Sequence, residues 1–152
     1  MMLAEALVLR ADCQKRIAQL KVRLERCAKV QDGEDAPENA VELLAELKSV
    51  INNLTSLVKK INKTNSVTSF NDNQTLADAL AERDAIALER DALEELIEYA
   101  TIKYDRYARS EIKYISKVNI ADTQKVKDEL SKKYRELDFK IQQRNYNVEL
   151  VD

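Results

Sequence analysis

Asp32-Gly33-Glu34-Asp35-Ala36-Pro37 holds the only glycine and the only proline of a 152-residue chain. Everything outside this stretch lacks the two residues that most reliably break helices, so long uninterrupted helices are expected on both sides of it. Upstream, Ala6, Arg10, Cys13, Ile17, Leu20, Leu24 and Cys27 alternate in steps of four and three. That is a heptad seam, and it predicts a helix from Leu3 to Val30, roughly 40 Å long at 1.5 Å per residue. Downstream, Leu44, Leu47, Ile51, Leu54, Val58 and Ile61 repeat the same spacing. They predict a second helix that starts near Pro37, where a missing N–H costs nothing, and ends near Ile61.

Charge agrees with an antiparallel hairpin. Residues 1–30 carry seven Lys/Arg against three acids, whereas residues 31–47 carry six acids and no base. Folding the chain at the Gly/Pro stretch sets the acidic start of the second helix beside the basic end of the first, in keeping with both helix dipoles. Residues 63–74 (KTNSVTSFNDNQ) form a polar connector rich in residues that bond their own backbone. Thr75 and Asp78 then open a third helix running to Ala100, with Leu76, Leu80, Ile86, Leu93, Leu96 and Ile97 on its apolar side. Periodicity fails over 101–120, read as an irregular or extended arm in which Ile112, Tyr114, Val118 and Ile120 share one parity. A last helix over 121–145 carries the stripe Val126, Leu130, Tyr134, Leu137 and Ile141. The expectation is one all-α domain over residues 1–152, with long antiparallel helical hairpins forming a four-helix, coiled-coil-like bundle.

Composition bounds the function. Charged residues make up 34% of the chain and aromatic ones 5%, with no Trp. The core must be a thin one of Leu, Ile, Val and Ala, and thin helical bundles gain burial by associating, so a homo-oligomer is expected. A net charge of −2 argues against nucleic acid as partner. The start of the chain lacks the pattern of a signal peptide, and no apolar run approaches bilayer length, which points to the cytoplasm and away from a membrane. Cys13 and Cys27 lie two heptads apart on one helix, too far to bridge each other, and read as reduced thiols.

Catalytic and metal chemistry find little to build on. The chain has no histidine, which removes the usual general base and the commonest metal ligand. Two thiols on one seam make no zinc site, and one glycine makes neither a phosphate loop nor a nucleophile elbow. No catalytic residue, metal site or cofactor is assigned. Arg10 falls on the first seam with Asp12 nearby, and Arg83 with Asp84 interrupts the third helix. Buried guanidinium groups must be paired. The plainer reading is an ion-pair network that fixes helix register, and the sharper one is a pocket for a small anionic ligand. A second cluster, Tyr99 to Tyr114, holds four of six tyrosines, and residues 103–117 carry five bases against two acids. It reads as an arm pinned to the bundle or as an interface rich in Tyr and Arg; single-stranded nucleic acid is a further alternative. Thr64 and its Asn neighbours read as a helix-end cap in preference to a ligand site.

Five segments are recognisable together: LAEALVLRAD (3–12), INKTN (61–65), TLADALAERD (75–84), RYARSEIK (106–113) and ELDFKIQQRN (136–145). Along nearly its whole length the chain resembles the septicolysin-like family of small, mostly uncharacterised bacterial proteins. It departs from that pattern where Asn71-Asp72-Asn73-Gln74 replaces a turn that usually holds a glycine, and where Tyr146 stands at a common Trp position. The resemblance implies a bacterial origin and an all-helical fold. It also marks Arg10, Asp12, Arg83, Asp84, Arg106, Tyr107, Arg109, Ser110, Glu111 and Lys113 as candidates for any shared ligand or interface site. The cytolysin behind the family label is not a good guide to activity, because no membrane-inserting segment is evident. The leading reading is a cytoplasmic, non-enzymatic interaction or assembly protein that binds itself and a protein partner. An anionic-ligand binder or unrecognised enzyme, a single-strand binder through 103–117 and a cytolysin stand as alternatives.

Overall fold

The structure is a computed structural model that describes residues 1–103 and 112–152. It is all-α apart from one short β-hairpin. The helices are α1 (Leu3–Cys27), α2 (Ala40–Val67), α3 (Leu76–Ala100) and α4 (Ile120–Asn147); strands β1 (Ser69–Asn71) and β2 (Gln74–Thr75) join α2 to α3. Two compact units result, Met1–Leu76 with Gln142–Asp152, and Ala77–Ile141.

In the first unit α1 and α2 form the expected antiparallel hairpin. Arg16 pairs with Glu46 and Arg23 with Glu38, so position falls on one helix as it rises on the other. Gly33 explains the glycine in the turn. Its φ is +87°, in the left-handed region, at the third position of a turn closed by Glu34 N–H donating to the Gln31 carbonyl at 3.0 Å. The second helix starts three residues beyond Pro37, because Asn39 supplies the cap: its Oδ1 accepts the Val41 N–H at 2.9 Å.

Every residue of the first seam is buried or half-buried, as its spacing predicts. The second helix differs by one residue. Its inward row is Leu43, Leu47, Val50, Leu54, Leu57, Ile61 and Thr64, a continuous heptad pattern in which each member is buried or half-buried. Leu44 and Ile51, expected on the seam, are 54% and 43% exposed. Apolar residues occur in adjacent pairs here (Leu43-Leu44, Val50-Ile51, Leu57-Val58), so two rows about 100° apart compete for the partner. The inward row runs on through Thr64, because α2 continues to Val67, six residues past its expected end.

The polar connector proves to be a β-hairpin. Ser69 pairs with Thr75 and Asn71 with Gln74. Asn71 Oδ1 accepts the Asn73 N–H at 3.0 Å, and Asn71 Nδ2 donates to Gln74 Oε1 at 2.9 Å. This Asx-turn makes the reversal without glycine, and no described non-glycine residue has positive φ. Arg144, on the last turn of α4, donates from both Nε and Nη2 to the Ser69 carbonyl (3.2 and 2.9 Å) and fixes the hairpin. Residues 112–119 are irregular, without a strand.

The end segment 148–152 returns to the first unit. Leu3 N–H donates to the Val148 carbonyl at 2.8 Å and Leu150 N–H to the Met1 carbonyl at 2.9 Å, around an antiparallel bridge between Met2 and Glu149. The fully buried Thr64 anchors it. Its Oγ1 accepts the Val151 N–H at 2.9 Å and donates to the Lys60 carbonyl at 2.8 Å. Thr64 therefore pins a distant segment, while the end of α2 is closed by the Thr68 N–H donating to the Thr64 carbonyl at 3.0 Å.

Candidate functional site

Arg83 and Arg90 are the chemically distinctive residues of the second unit. They occupy inward heptad positions of α3, in the row Ala79, Arg83, Ile86, Arg90, Leu93, Ile97 and Ala100, all buried or half-buried. Arg83 donates from Nε and Nη2 to Asp84 Oδ1 (3.1 and 2.9 Å) and from Nη1 to Asp138 Oδ1 on α4 (2.9 Å). Burial by itself would lower the Arg83 pKa, but the hydrogen bonds to Asp84 and Asp138 outweigh it and the value is raised. One heptad on, Arg90 repeats the motif. It donates from Nε and Nη2 to Asp91 Oδ1 (3.0 and 2.9 Å), and its guanidinium carbon stands 5.2 Å from the centre of the Tyr134 ring. Lys127 Nζ meets Glu94 Oε1 at 3.1 Å. Contacts 83–138, 90–134 and 94–127 descend along α4 as they ascend α3, so the second hairpin is antiparallel too.

These contacts replace much of the apolar seam expected between α3 and α4. In this unit only Ala79, Leu130 and Ile141 are buried apolar residues among those described, while Leu96 and Val126, expected inside, are 42% and 44% exposed. A planar fork that bonds Asp84 on its own helix and Asp138 across the gap fixes register more tightly than Leu packing would. The signal in the sequence is the seven-residue repeat Glu82-Arg83-Asp84-Ala85 and Glu89-Arg90-Asp91-Ala92, which sequence reasoning missed along with Asp138 and Tyr134.

The remaining candidates fall in different segments of the chain. Arg10 and Asp12 belong to the first unit, Arg83 and Asp84 to the second. Arg10 lies half-buried on the inward row of α1, with its Nε enclosed and unbonded, and Asp12 is exposed. Lys113 is exposed in the irregular segment, and Arg106, Tyr107, Arg109, Ser110 and Glu111 lie outside the described residues. Among the described residues no three His, Cys, Asp or Glu side chains converge as metal ligands. A shallow hollow beside Glu98, Tyr99, Thr101 and Lys103 lies at the far end of α3, about 20 Å along the helix from Arg83.

A second feature is a surface. The two flanks of the α1–α2 hairpin differ in kind. One carries the ion pairs Arg16–Glu46 and Arg23–Glu38, with Arg16 and Arg23 one heptad apart. The other carries Leu44 and Ile51, also one heptad apart, with Val41 74% exposed beside them and half-buried Val58 continuing the row. An apolar heptad row beside a filled seam is the pattern of a helix with two neighbours.

Comparison with known proteins places the chain without assigning an activity. No curated protein matches it. A solved structure, that of a functionally unknown conserved protein from Corynebacterium diphtheriae, is similar at 43% identity, covers 99% of each chain and superposes with a TM-score of 0.89. A family of unknown function matches residues 10–150. The chain belongs to that family, DUF6847.

Proposed function

We propose that this protein works by association: it is a helical interaction and assembly protein of the bacterial cytoplasm that pairs with itself and offers its remaining surface to a protein partner. The observation behind this reading is the balance of apolar side chains. Among the described residues nine are buried, two of them alanines, whereas twenty large ones are exposed, including Leu44, Ile51, Leu88, Tyr99, Tyr114 and Phe139. Scattered exposed apolar residues are ordinary, but rows at heptad spacing on a helix flank are the usual mark of an interface. Kinship with septicolysin-like proteins is part of the proposal, and lysis is not. No described helix is long and apolar enough to cross a membrane, so liposomes should retain dye at micromolar protein, and release would refute this point.

The Arg83 cluster supports a structural role over ligand capture, since its donors are committed to Asp84 and Asp138. The test of association is the dependence of thermal stability on concentration. A protein whose folded state is an oligomer melts about 3–5 °C higher over about a hundredfold rise in concentration, through mass action. A concentration-independent melting point would contradict the reading.

A further inference from the structure

We infer that the place where residues 148–152 dock is a peptide-recognition site, and that an extended acidic segment of a protein partner takes it by displacing them. This rests on the partner-binding half of the reading above, and its failure would leave self-association standing. Every part of the site belongs to the first unit. Met2 is extended (φ −74°, ψ 152°), and its N–H is turned to Glu5 Oε2 at 2.8 Å. The Leu3 N–H and the Met1 carbonyl face the other way as a strand edge, and bond the Val148 carbonyl at 2.8 Å and the Leu150 N–H at 2.9 Å. Such an edge accepts any extended backbone.

Side chains of α2 supply the selectivity. Thr64 Oγ1 accepts the Val151 N–H at 2.9 Å, while Lys60 donates to the Asp152 carboxylate and Lys63 to the Asp152 carbonyl. Val148, Leu150 and Val151 are half-buried, whereas Glu149 is exposed and the Asp152 side chain is 95% exposed. The pattern read is therefore apolar, any residue, apolar, apolar, acid, and the two ammonium groups favour an acidic segment over a basic one. The present occupant is exchangeable. None of residues 148–152 is fully buried, so the bonds just described open locally ahead of the helices. A tethered segment acts at an effective concentration of about millimolar, so a partner segment of the same pattern and better fit displaces it, and poorer ones are refused.

The test adds the free peptide Asn-Val-Glu-Leu-Val-Asp, the sequence of residues 147–152, to the unmodified chain and follows amide exchange. At about 10 mM peptide, above the effective concentration of the tethered segment, the Leu150 and Val151 N–H groups should lose most of their protection. The Leu3 N–H should keep its own, because the peptide supplies the replacing carbonyl. A full-length variant with Val151→Pro and Asp152→Lys, whose own segment cannot dock, should bind the fluorescein-labelled peptide about 10-fold more tightly than wild type or better. Adding Thr64→Val to that variant should weaken binding about 10-fold, the loss expected for one buried donor left without its acceptor. Leu150 and Val151 staying protected, Leu3 losing protection with them, or binding indifferent to Thr64→Val would overturn the site and leave residues 148–152 a fixed part of the fold.

Discussion

Replacing Thr64 by Val separates hydrogen bonding from packing at the point where the end segment is held. The two side chains are nearly isosteric, and Thr64 is completely buried. Its hydroxyl donates to the Lys60 carbonyl at 2.8 Å and accepts the Val151 N–H at 2.9 Å. The first bond is expendable, because the Lys60 carbonyl sits within α2 and keeps its helical partner. The second is not, because Val151 is itself half-buried and its N–H would be left without an acceptor. An unsatisfied buried donor costs about 1–3 kcal/mol, so Thr64→Val should destabilise the protein by about 2 kcal/mol and lower the melting point by about 4–8 °C. Thr64→Ser keeps the hydroxyl and loses a methyl, for about 1 kcal/mol. Ser66 makes the same type of bond, to the Asn62 carbonyl at 2.8 Å, but is exposed. Ser66→Ala should therefore fall within about 0.5 kcal/mol of wild type. Thermal melts rank the three variants, and amide exchange should show protection of the Val151 and Leu3 N–H groups lost in Thr64→Val. A Thr64→Val protein as stable as wild type, with Thr64→Ser the weaker of the two, would refute the account, because packing and not the hydrogen bond would then hold the segment.

Other consequences can be checked with the same melts. Arg83→Lys should lose about 1 kcal/mol, nearly as much as Arg83→Ala, because an ammonium cannot reproduce the fork shared by Asp84 and Asp138; equality with wild type would mean charge alone suffices. Tyr134→Phe should be almost neutral, and Tyr134→Leu should cost about 0.5–1 kcal/mol through loss of the ring facing Arg90. Gly33→Ala should cost about 1 kcal/mol from its positive φ alone, since an added Cβ would meet no atom within 4 Å. The hydrogen bond from Arg23 holds the Glu38 carboxyl below its ordinary pKa, and Lys60 does the same for Asp152. Both contributions are complete above the ordinary carboxylate range and fade as pH falls through the lowered values. The acid limb of stability should therefore flatten in Glu38→Gln; an unchanged pH profile would remove Glu38 from that role.

What the sequence disclosed follows from the range of each interaction. The inward row of α1 could be read residue by residue because no other apolar row runs its length: Val8, Leu9 and Val22 stand apart from one another, exposed. The row of α2 could not, because Leu43 and Leu44, Val50 and Ile51, and Leu57 and Val58 offer two equally apolar faces, and only the docked α1 decides between them. Arg83 was recognisable as an arginine in an inward position. Its partner Asp138 was not, since that pairing depends on the register of α3 against α4, which no local pattern encodes. Pairing of Met2 with Glu149 and the burial of Thr64 share this cause: both join residues far apart in sequence. The Asx-turn at Asn71 was half legible, as a polar connector without the strands that its neighbours form.

Sedimentation equilibrium of the unmodified chain over a wide concentration range tests the central claim most directly. The account predicts a mass that is a whole multiple of 17.4 kDa, greater than one, persisting into the micromolar range. A single ideal species of 17.4 kDa throughout would contradict it.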